Sequence, residues 1–343
     1  MKAMVLRKFG EPMEYLEMEK PSIGEEDLLL RVKACGLCGT DLKIFDGKVP
    51  TVKLPSIMGH EVSGVVEEVG KKVKMVRPGD HGVVHIYVTC GSCFYCRNSR
   101  ENDCQSLEGR IGFELPGGFG EYLRVPEKNF FTVSPKVPLD EVSILSGSIS
   151  TPMHGVRTQG RLRMGETAVI IGIGGLGIHT LQLAVNLGAR VIAVDIDDRK
   201  LEVARSCGAD AVINSSREDF PAAVRDITGG LGADLAVEVI GGPKIPEVLE
   251  ESIKCLRLGG RLVIMGYDYG QRLAIDPQKI VYDELEIIGT RSSTRQDLID
   301  VISLVERGKV KPLITERVPL ERANEAFGRL RHSEAVGRMV LVF

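Results

Sequence analysis

The sequence predicts an α/β protein of two domains, one built on a doubly wound parallel sheet and the other rich in short β-strands. Three observations carry this prediction. A buried strand, a glycine turn, an apolar helix and a second buried strand follow one another between residues 168 and 195. Strands and helices then alternate to about residue 288, as a parallel sheet with helical crossovers requires. Residues 1 to about 130 instead contain short apolar runs broken by Gly and Pro.

The β-rich part is predicted from runs such as 28–32 and 62–69, with turns at Pro21, Gly24 and Gly70. Short strands at irregular spacing are typical of a barrel or sandwich. A further strand is predicted at 338–343. We expect this terminal stretch to return to the first domain, because the α/β alternation already supplies enough strands for a full parallel sheet.

The α/β part is predicted to continue after residue 195 as three further helix–strand pairs. Its predicted helices are 199–207, 220–228 and 246–256, and its predicted strands are 211–213, 235–240 and 261–265. One more helix is predicted at 296–306.

The glycine turn reads GxGxxG, with Gly172, Gly174 and Gly177 as its three glycines and Gly175 and Leu176 between the last two. In this arrangement a tight turn brings backbone N–H groups to a pyrophosphate at a helix N-terminus. A lone GxGxxG is a weak signal, but here the flanking strands and helix are present. The stretch therefore predicts a dinucleotide site.

Asp195 ends the second strand of this unit, eighteen residues after the last glycine. A carboxylate at this place accepts hydrogen bonds from a free ribose 2′-hydroxyl and repels a 2′-phosphate. The sequence therefore favours NAD over NADP, a preference that Arg199 tempers without overturning.

Composition narrows the class of protein. The chain has 343 residues, 43% hydrophobic and 27% charged, which is the balance of a soluble globular protein. A net charge of −3 gives no reason to expect nucleic acid or an anionic membrane as a partner. No long apolar run predicts a membrane span, and the first residues lack the apolar core of a secretory signal, so we expect a cytoplasmic protein.

Four of the eight cysteines lie in one loop with the spacing C-x2-C-x2-C-x7-C. They are Cys90, Cys93, Cys96 and Cys104. Four thiolates this close in sequence can close a tetrahedral shell around zinc, which makes a structural site with no open position. An iron–sulfur cluster is the alternative, because thiolates also hold those clusters.

Two further segments, CGLCGTD from residue 35 and GHE from residue 59, contain candidate catalytic groups. Cys35 and Cys38 form a CxxC, but no thioredoxin-like βαβ unit surrounds them, so redox chemistry is not indicated. Taken alone, His60 is more often a structural histidine than a ligand.

The chain as a whole resembles the zinc-dependent medium-chain dehydrogenase/reductase family, whose members include alcohol, sorbitol and threonine dehydrogenases. The matching features span almost its full length: GLCGTD at 36–41, GHE at 59–61, PGD at 78–80, the four-cysteine loop, GGFGEY at 117–122, the GxGxxG and the terminal strand. The resemblance implies a GroES-like β-barrel catalytic domain (1–148 and 289–343) around an inserted Rossmann domain (149–288).

The resemblance also implies roles for residues of the first domain. Cys38 and His60 match two ligands of a catalytic zinc, and Glu61 matches a glutamate that ligates zinc directly in some members. Thr40 matches a hydroxyl that accepts the substrate's proton. Asp41 matches a carboxylate that orients the histidine.

Four further residues match positions that contact the cofactor in the family. Leu176 matches a residue whose backbone lies beside the cofactor, and Thr151 matches one near the nicotinamide. Lys200 matches a side chain that contacts the adenosine ribose, and Arg338 matches one that reaches the pyrophosphate.

The sequence departs from the family at two positions. The family's third ligand, a Cys, Asp or Glu, lies seven residues before the position of His154, where this chain has Gly147. Either Glu61 completes the shell with water, or zinc is held loosely, or the catalytic metal is lost. Lys43 stands where a histidine proton relay is often found, and it acts as a relay only if its pKa is lowered.

The resemblance implies an NAD-dependent dehydrogenase of secondary alcohols or polyols that uses a structural and a catalytic zinc. A homodimer or homotetramer is expected. The loss of a ligand at Gly147 motivates an alternative, a reductase of the same superfamily that acts on an enone or enoyl thioester without catalytic zinc. A non-catalytic nucleotide-binding protein is the third reading, which the presence of Thr40 and Asp41 beside the ligands disfavours.

Overall fold

The computed structural model describes residues 1–332 and 336–343. These residues form two compact units, Met1–Ser150 with Ser293–Phe343, and Thr151–Ser292. The two boundaries lie two and four residues beyond those expected from the sequence. After the roles that the sequence predicts for them, we call these the catalytic unit and the nucleotide unit.

The described residues form seventeen strands. In chain order they are β1 (Lys2–Val5), β2 (Glu14–Glu17), β3 (Asp27–Gly36), β4 (Glu61–Val69), β5 (His81–Val84), β6 (Tyr87–Val88), β7 (Gly109–Arg110), β8 (Tyr122–Pro126), β9 (Phe130–Thr132), β10 (Thr167–Ile171), β11 (Arg190–Asp195), β12 (Ala211–Asn214), β13 (Ala233–Glu238), β14 (Leu256–Ile264), β15 (Glu286–Gly289), β16 (Ile314–Pro319) and β17 (Arg338–Val342).

Eleven α-helices are found in the same part of the chain. They are α1 (Gly39–Phe45), α2 (Phe94–Arg97), α3 (Leu139–Ser143), α4 (Ser150–Met153), α5 (Gly177–Asn186), α6 (Asp198–Ser206), α7 (Phe220–Ile227), α8 (Ile245–Lys254), α9 (Pro277–Tyr282), α10 (Arg295–Glu306) and α11 (Ala323–Arg331). Two wider, π-helical turns flank α4, at Leu145–Ile149 and His154–Gln159.

The catalytic unit is built around a seven-stranded sheet with β3 at its centre. The strand order is β16-β17-β3-β4-β5-β9, and β8 also pairs with β3. The sequence predicted only 28–32 of β3, because the last three residues of the strand pair with β17, about 300 positions away in the chain. The hydrophobic core of this unit includes Leu28, Leu30 and Val62 of the sheet, which are fully buried, and Ala326 and Phe327 of α11.

The nucleotide unit contains a six-stranded parallel sheet of order β12-β11-β10-β13-β14-β15. This is the doubly wound strand order, in which β11 and β12 follow on one side of β10 and β13, β14 and β15 on the other. It confirms the predicted fold class. Val169, Ile170 and Ile171 are all buried, because a parallel sheet of this kind is covered on both faces.

The largest boundary error in this unit lies at the junction of α8 and β14, where β14 begins five residues before the predicted strand at 261–265. The helix expected to reach residue 256 ends at Lys254, and β14 already begins at Leu256. Leu256 pairs with Ala233, after which the register shifts so that Arg261 pairs with Leu235. The intervening Gly259 and Gly260 gave the sequence no strand signal, because glycine is depleted in strands.

No helix in the described residues is long and apolar enough to cross a lipid bilayer.

Candidate functional site

The described residues contain two clusters of side chains that could hold a metal ion, both in the catalytic unit. One is Cys38, His60 and Glu61, called here the mixed cluster, and the other is the four-cysteine cluster. The glycine turn lies in the nucleotide unit.

Strand ends bring the members of the mixed cluster together. In the antiparallel pairing of β3 with β4, Gly36 at the end of β3 lies opposite Glu61 at the start of β4. On the other side of β3, Gly36 pairs with Val340, so Arg338 at the start of β17 reaches the same edge. Cys38 follows β3 by two residues and caps α1. Residues about 300 positions apart in the chain therefore meet at one end of the sheet.

The geometry of the mixed cluster fits a metal ion. One donor atom from each of Cys38, His60 and Glu61 lies within 4.8 Å of the other two. His60 and Glu61 are almost completely buried, with 5% and 0% of their surface exposed. A thiolate, an imidazole and a carboxylate are all ligands of zinc, and three protein ligands leave a fourth position open.

Asp41 holds the histidine of this cluster. His60 Nδ1 lies 3.0 Å from Asp41 Oδ1, inside the protein. The other carboxylate oxygen of Asp41 accepts the backbone N–H of Cys38 at 2.8 Å. When Nδ1 carries the proton, Nε2 is left with its lone pair for a metal, which is the usual outer-shell arrangement of a ligating histidine.

Arg338 provides the positive charge of the site. Its Nη2 donates to Glu61 Oε1 at 2.8 Å and to Cys38 Sγ at 3.4 Å, and its Nε donates to Ser148 Oγ. Ser148 Oγ in turn donates to both Glu61 oxygens, at 3.0 and 3.2 Å. The Glu61 carboxylate is thus held by a hydroxyl and a guanidinium.

The electrostatics of the cluster follow from burial and these charges. Burial opposes the thiolate of Cys38, but Arg338 and His60 outweigh it and lower the pKa of Cys38 to about 7. Burial likewise opposes the imidazolium, yet Asp41 raises the pKa of His60 well above its usual value. The pKa of Arg338 is also raised, because Cys38 and Glu61 outweigh its burial. A thiolate at neutral pH is the form in which cysteine binds a metal.

Gly147, at the place where the sequence lacks a third ligand, lies beside the mixed cluster. It belongs to the π-helical turn Leu145–Ile149, a type of turn that is frequent at functional sites. A Cβ atom added at Gly147 would lie 2.6 Å from Cγ and 2.7 Å from Cδ of Glu61. The Glu61 side chain therefore occupies the space into which a side chain at position 147 would extend.

The four-cysteine cluster has the geometry of a closed tetrahedral site. Four of its Sγ–Sγ distances are 3.5, 3.6, 3.9 and 3.9 Å. A ZnS4 tetrahedron with bonds of about 2.3 Å requires sulfur–sulfur distances of about 3.8 Å. The backbone N–H groups of Ser92 and Cys93 lower the pKa of Cys90 to about 6, which favours its thiolate. The residues fit one zinc ion with no position open to substrate.

The glycine turn meets the steric demands of a phosphate cradle. Gly172 has a φ of +95°, and a Cβ at Gly177 would overlap the carbonyl oxygen of Gly172, so both positions require glycine for the fold itself. A Cβ at Gly174 would meet no protein atom within 4 Å. Space that the protein leaves open beside a helix N-terminus fits a pyrophosphate. Gly175 and Leu176 complete the turn before α5.

Asp195 supports this turn as well as ending β11. Its Oδ2 accepts the N–H of Ile173 at 2.7 Å, and its Oδ1 accepts those of Ile196 and Asp197 at 2.8 and 3.0 Å. Arg199 is paired with Asp197 at 2.7 Å, on the surface. The sequence prediction that Asp195 contacts a ribose stays a prediction, and its bracing of the turn is a contact that the sequence did not indicate.

The remaining candidate residues are distributed as follows. Thr40 lies half-buried in the first turn of α1, beside the mixed cluster. Lys43 lies in the last turn of the same helix. Thr151 and Lys200 lie in the nucleotide unit, in α4 and α6. Their predicted contacts with a proton or with the cofactor stay predictions.

Sequence reasoning missed two members of the mixed cluster's surroundings. Ser148 was given no role in the sequence analysis, whereas it donates to the Glu61 carboxylate. Arg338 was assigned only to the pyrophosphate, a contact that stays a prediction, and it also contacts Glu61 and Cys38. Neither contact has a local sequence signal, because both join segments that are 87 to 300 residues apart.

Two family models match the chain. The model for an alcohol dehydrogenase GroES-like domain matches residues 24–135, and the model for a zinc-binding dehydrogenase matches residues 175–307.

Curated proteins are similar to the chain along its whole length. An alcohol dehydrogenase of Geobacillus stearothermophilus is 35% identical over 343 residues, covering 99% of each chain. An NAD-dependent alcohol dehydrogenase of Sulfurisphaera tokodaii is 34% identical, covering 100% of each. An acryloyl-coenzyme A reductase of the same organism is 31% identical, covering 99% of each.

Among solved structures, that of AibC superimposes with a TM-score of 0.93 at 37% sequence identity. The match covers 99% of this chain and 95% of that one.

Proposed function

Because the chain belongs to the zinc-dependent medium-chain dehydrogenase/reductase family, we propose that it is an oxidoreductase that transfers hydride from a secondary alcohol or a polyol to NAD. The observation that carries the proposal is the mixed cluster, in which Cys38, His60 and Glu61 present three different donors within 4.8 Å. A shell of one thiolate, one carboxylate and one neutral imidazole balances the charge of Zn²⁺ and leaves a position for substrate.

Each side chain of the mixed cluster has a distinct task in this proposal. Cys38, His60 and Glu61 hold the zinc, and Asp41 fixes the ring of His60 through Nδ1. Arg338 and Ser148 hold the carboxylate of Glu61. When bound, zinc supplies a Lewis acid that makes the alcohol proton easier to remove, and NAD supplies the hydride acceptor.

Thr40 is the group that accepts the alcohol proton in this proposal. It stands two residues after Cys38, half-buried in the first turn of α1. A hydroxyl can accept one proton while it donates its own, so it can pass the proton on to a neighbouring acceptor.

The nucleotide unit is proposed to bind NAD through the glycine turn, Asp195, Thr151 and Lys200. The preference for NAD over NADP rests on the buried carboxylate of Asp195, which would repel a 2′-phosphate. The guanidinium of Arg199, the cation that tempered this preference, is paired with Asp197.

The proposal is tested by steady-state assays with secondary alcohols, polyols and 3-hydroxy amino acids, each with NAD and with NADP, and by zinc analysis of the purified protein. We expect turnover with at least one of these substrates, NAD as the better cofactor and two zinc ions per chain. One zinc per chain without turnover of any alcohol would contradict it.

A second function is favoured by Gly147 and by one relative. A reductase of 2-enoyl thioesters needs no ligand at position 147, and the chain is 31% identical to an acryloyl-coenzyme A reductase. The same protein sample decides between the two functions. Oxidation of NADH or NADPH by acryloyl-coenzyme A, without activity on any ketone, would establish the reductase instead.

A further inference from the structure

The carboxylate of Glu61 lies between two glycines. Gly36 faces it from β3 and Gly147 faces it from the π-helical turn Leu145–Ile149. A Cβ at Gly36 would overlap Oε2 of Glu61 and lie 3.0 Å from its Cβ. A Cβ at Gly147 would overlap Oε1 and lie 2.6 Å from Cγ. Neither glycine has a positive φ, so backbone conformation does not explain why these positions lack side chains.

The free space at the two glycines is filled by a charged group that is completely buried. A buried carboxylate is costly unless it is paired and hydrogen-bonded, and Ser148 and Arg338 supply those contacts. The position of Glu61 is therefore set by four groups. Two glycines leave space for its carboxylate, and one hydroxyl and one guanidinium hold it by hydrogen bonds. This is also the position in which Glu61 forms part of the mixed cluster.

We propose that Gly147 acts as a positioning residue for the metal: by lacking a side chain it lets the Glu61 carboxylate take the third ligand position. The inference rests on the proposed metal assignment of Cys38, His60 and Glu61. On this view, the absence of a ligand at position 147 is not a defect of the site, because it is the condition that allows Glu61 to bind the metal.

The proposal has a consequence that a merely structural glycine would not produce. Gly147→Ala removes no donor atom, yet it must weaken metal binding, because the new methyl group occupies the space of the Glu61 carboxylate. The same substitution must have no effect on metal binding once the Glu61 side chain is shortened. Gly147 and Glu61 are thus expected to be strongly non-additive, as residues in contact are.

The experiment measures Co²⁺ binding to the mixed cluster, with the four-cysteine cluster kept filled with zinc. Affinity is obtained from the visible absorption of Co²⁺ in competition with a chelator, for the wild type, Gly147→Ala, Glu61→Ala and the double variant. Gly39→Ala is the matched control. It likewise adds one methyl group next to a member of the mixed cluster, here Cys38, but into space with no atom within 4 Å.

We expect Gly147→Ala to weaken Co²⁺ binding by about 10- to 100-fold, the range seen when a ligand's supporting contact is lost. Glu61→Ala is expected to weaken it by at least as much. The double variant is expected to match Glu61→Ala, and Gly39→Ala to match the wild type.

Three results would overturn the inference: wild-type affinity in Gly147→Ala, a double variant weaker than Glu61→Ala, or equal weakening by Gly39→Ala. Should Gly147→Ala fail to fold, the double variant decides, since removal of the Glu61 side chain must restore folding. Failure of the metal assignment itself looks different, because the wild type would then bind no Co²⁺ beyond the four-cysteine cluster.

Discussion

The two metal-capable clusters of the catalytic unit differ in how the chain builds them. The four-cysteine cluster comes from a single loop of fifteen residues, 90–104, and uses one kind of donor. The mixed cluster comes from the ends of β3 and β4, uses three kinds of donor and is backed by Arg338 from β17. The closed site of the four-cysteine cluster depends only on the spacing of residues within one loop. The mixed cluster, which leaves a position open, depends on distant strands that fix each donor separately.

The two clusters also differ in the groups that surround their donor atoms. The four sulfur atoms contact one another and nearby backbone N–H groups. The donors of the mixed cluster each have an outer partner: Asp41 for His60, Ser148 and Arg338 for Glu61, and Arg338 for Cys38. Such partners set the orientation and charge of ligands, which matters where a substrate is to bind.

The largest expected effect separates the clusters by activity. His60→Ala is expected to lower kcat/KM for alcohol oxidation by at least about 1,000-fold, because a Lewis acid supplies several kcal/mol of transition-state stabilisation. Zinc in the four-cysteine cluster and NAD binding are expected to persist, as measured by metal analysis and by calorimetry. His81→Ala, on β5, is the control and should keep its activity. Unchanged turnover in His60→Ala would refute the catalytic role of the mixed cluster.

The second-largest expected effect distinguishes the two clusters by their contribution to the stability of the protein. Cys93→Ser is expected to release the zinc of the four-cysteine cluster and to lower Tm by roughly 5 °C or more, because binding to a structural site contributes directly to folding free energy. The mixed cluster should still bind Co²⁺. Cys207→Ser provides the matched control, since Cys207 is half-buried and lies outside both clusters. Retention of both metals in Cys93→Ser would show that this loop does not hold zinc.

A smaller effect tests the outer partners. Asp41→Asn keeps the shape of the side chain and removes its charge, so we expect metal affinity at the mixed cluster to fall by about 10- to 100-fold while the four-cysteine cluster is unaffected. Chelator competition measures both. Asp46→Asn is the control at the opposite end of the same helix, where the carboxylate pairs with Arg331 at the surface. Equal losses in the two variants would mean that Asp41 has only a general effect on stability.

Much of the fold could be predicted from the sequence, because its signals are local. The parallel sheet follows from apolar runs and helical periodicity, and β10, β11 and α5 lie where the GxGxxG indicated. The extent of β3 could not be predicted, because its final residues pair with β17 from the other end of the chain. The start of β14 was missed for another reason, a register shift beside Gly259 and Gly260.

The candidate functional site also has some parts that local sequence signals predicted and others that depend on distant parts of the chain. The sequence by itself determined the four-cysteine cluster and the glycine turn, since their spacing is a property of short segments. The family resemblance added Cys38, His60 and Glu61 as candidate ligands. Only the tertiary structure decided that Arg338 and Ser148 hold Glu61 and that Gly147 lies against its carboxylate. The physical reason is that a buried charge is stabilised by whatever lies nearest to it in space, and strand pairing brings those groups there from distant parts of the chain.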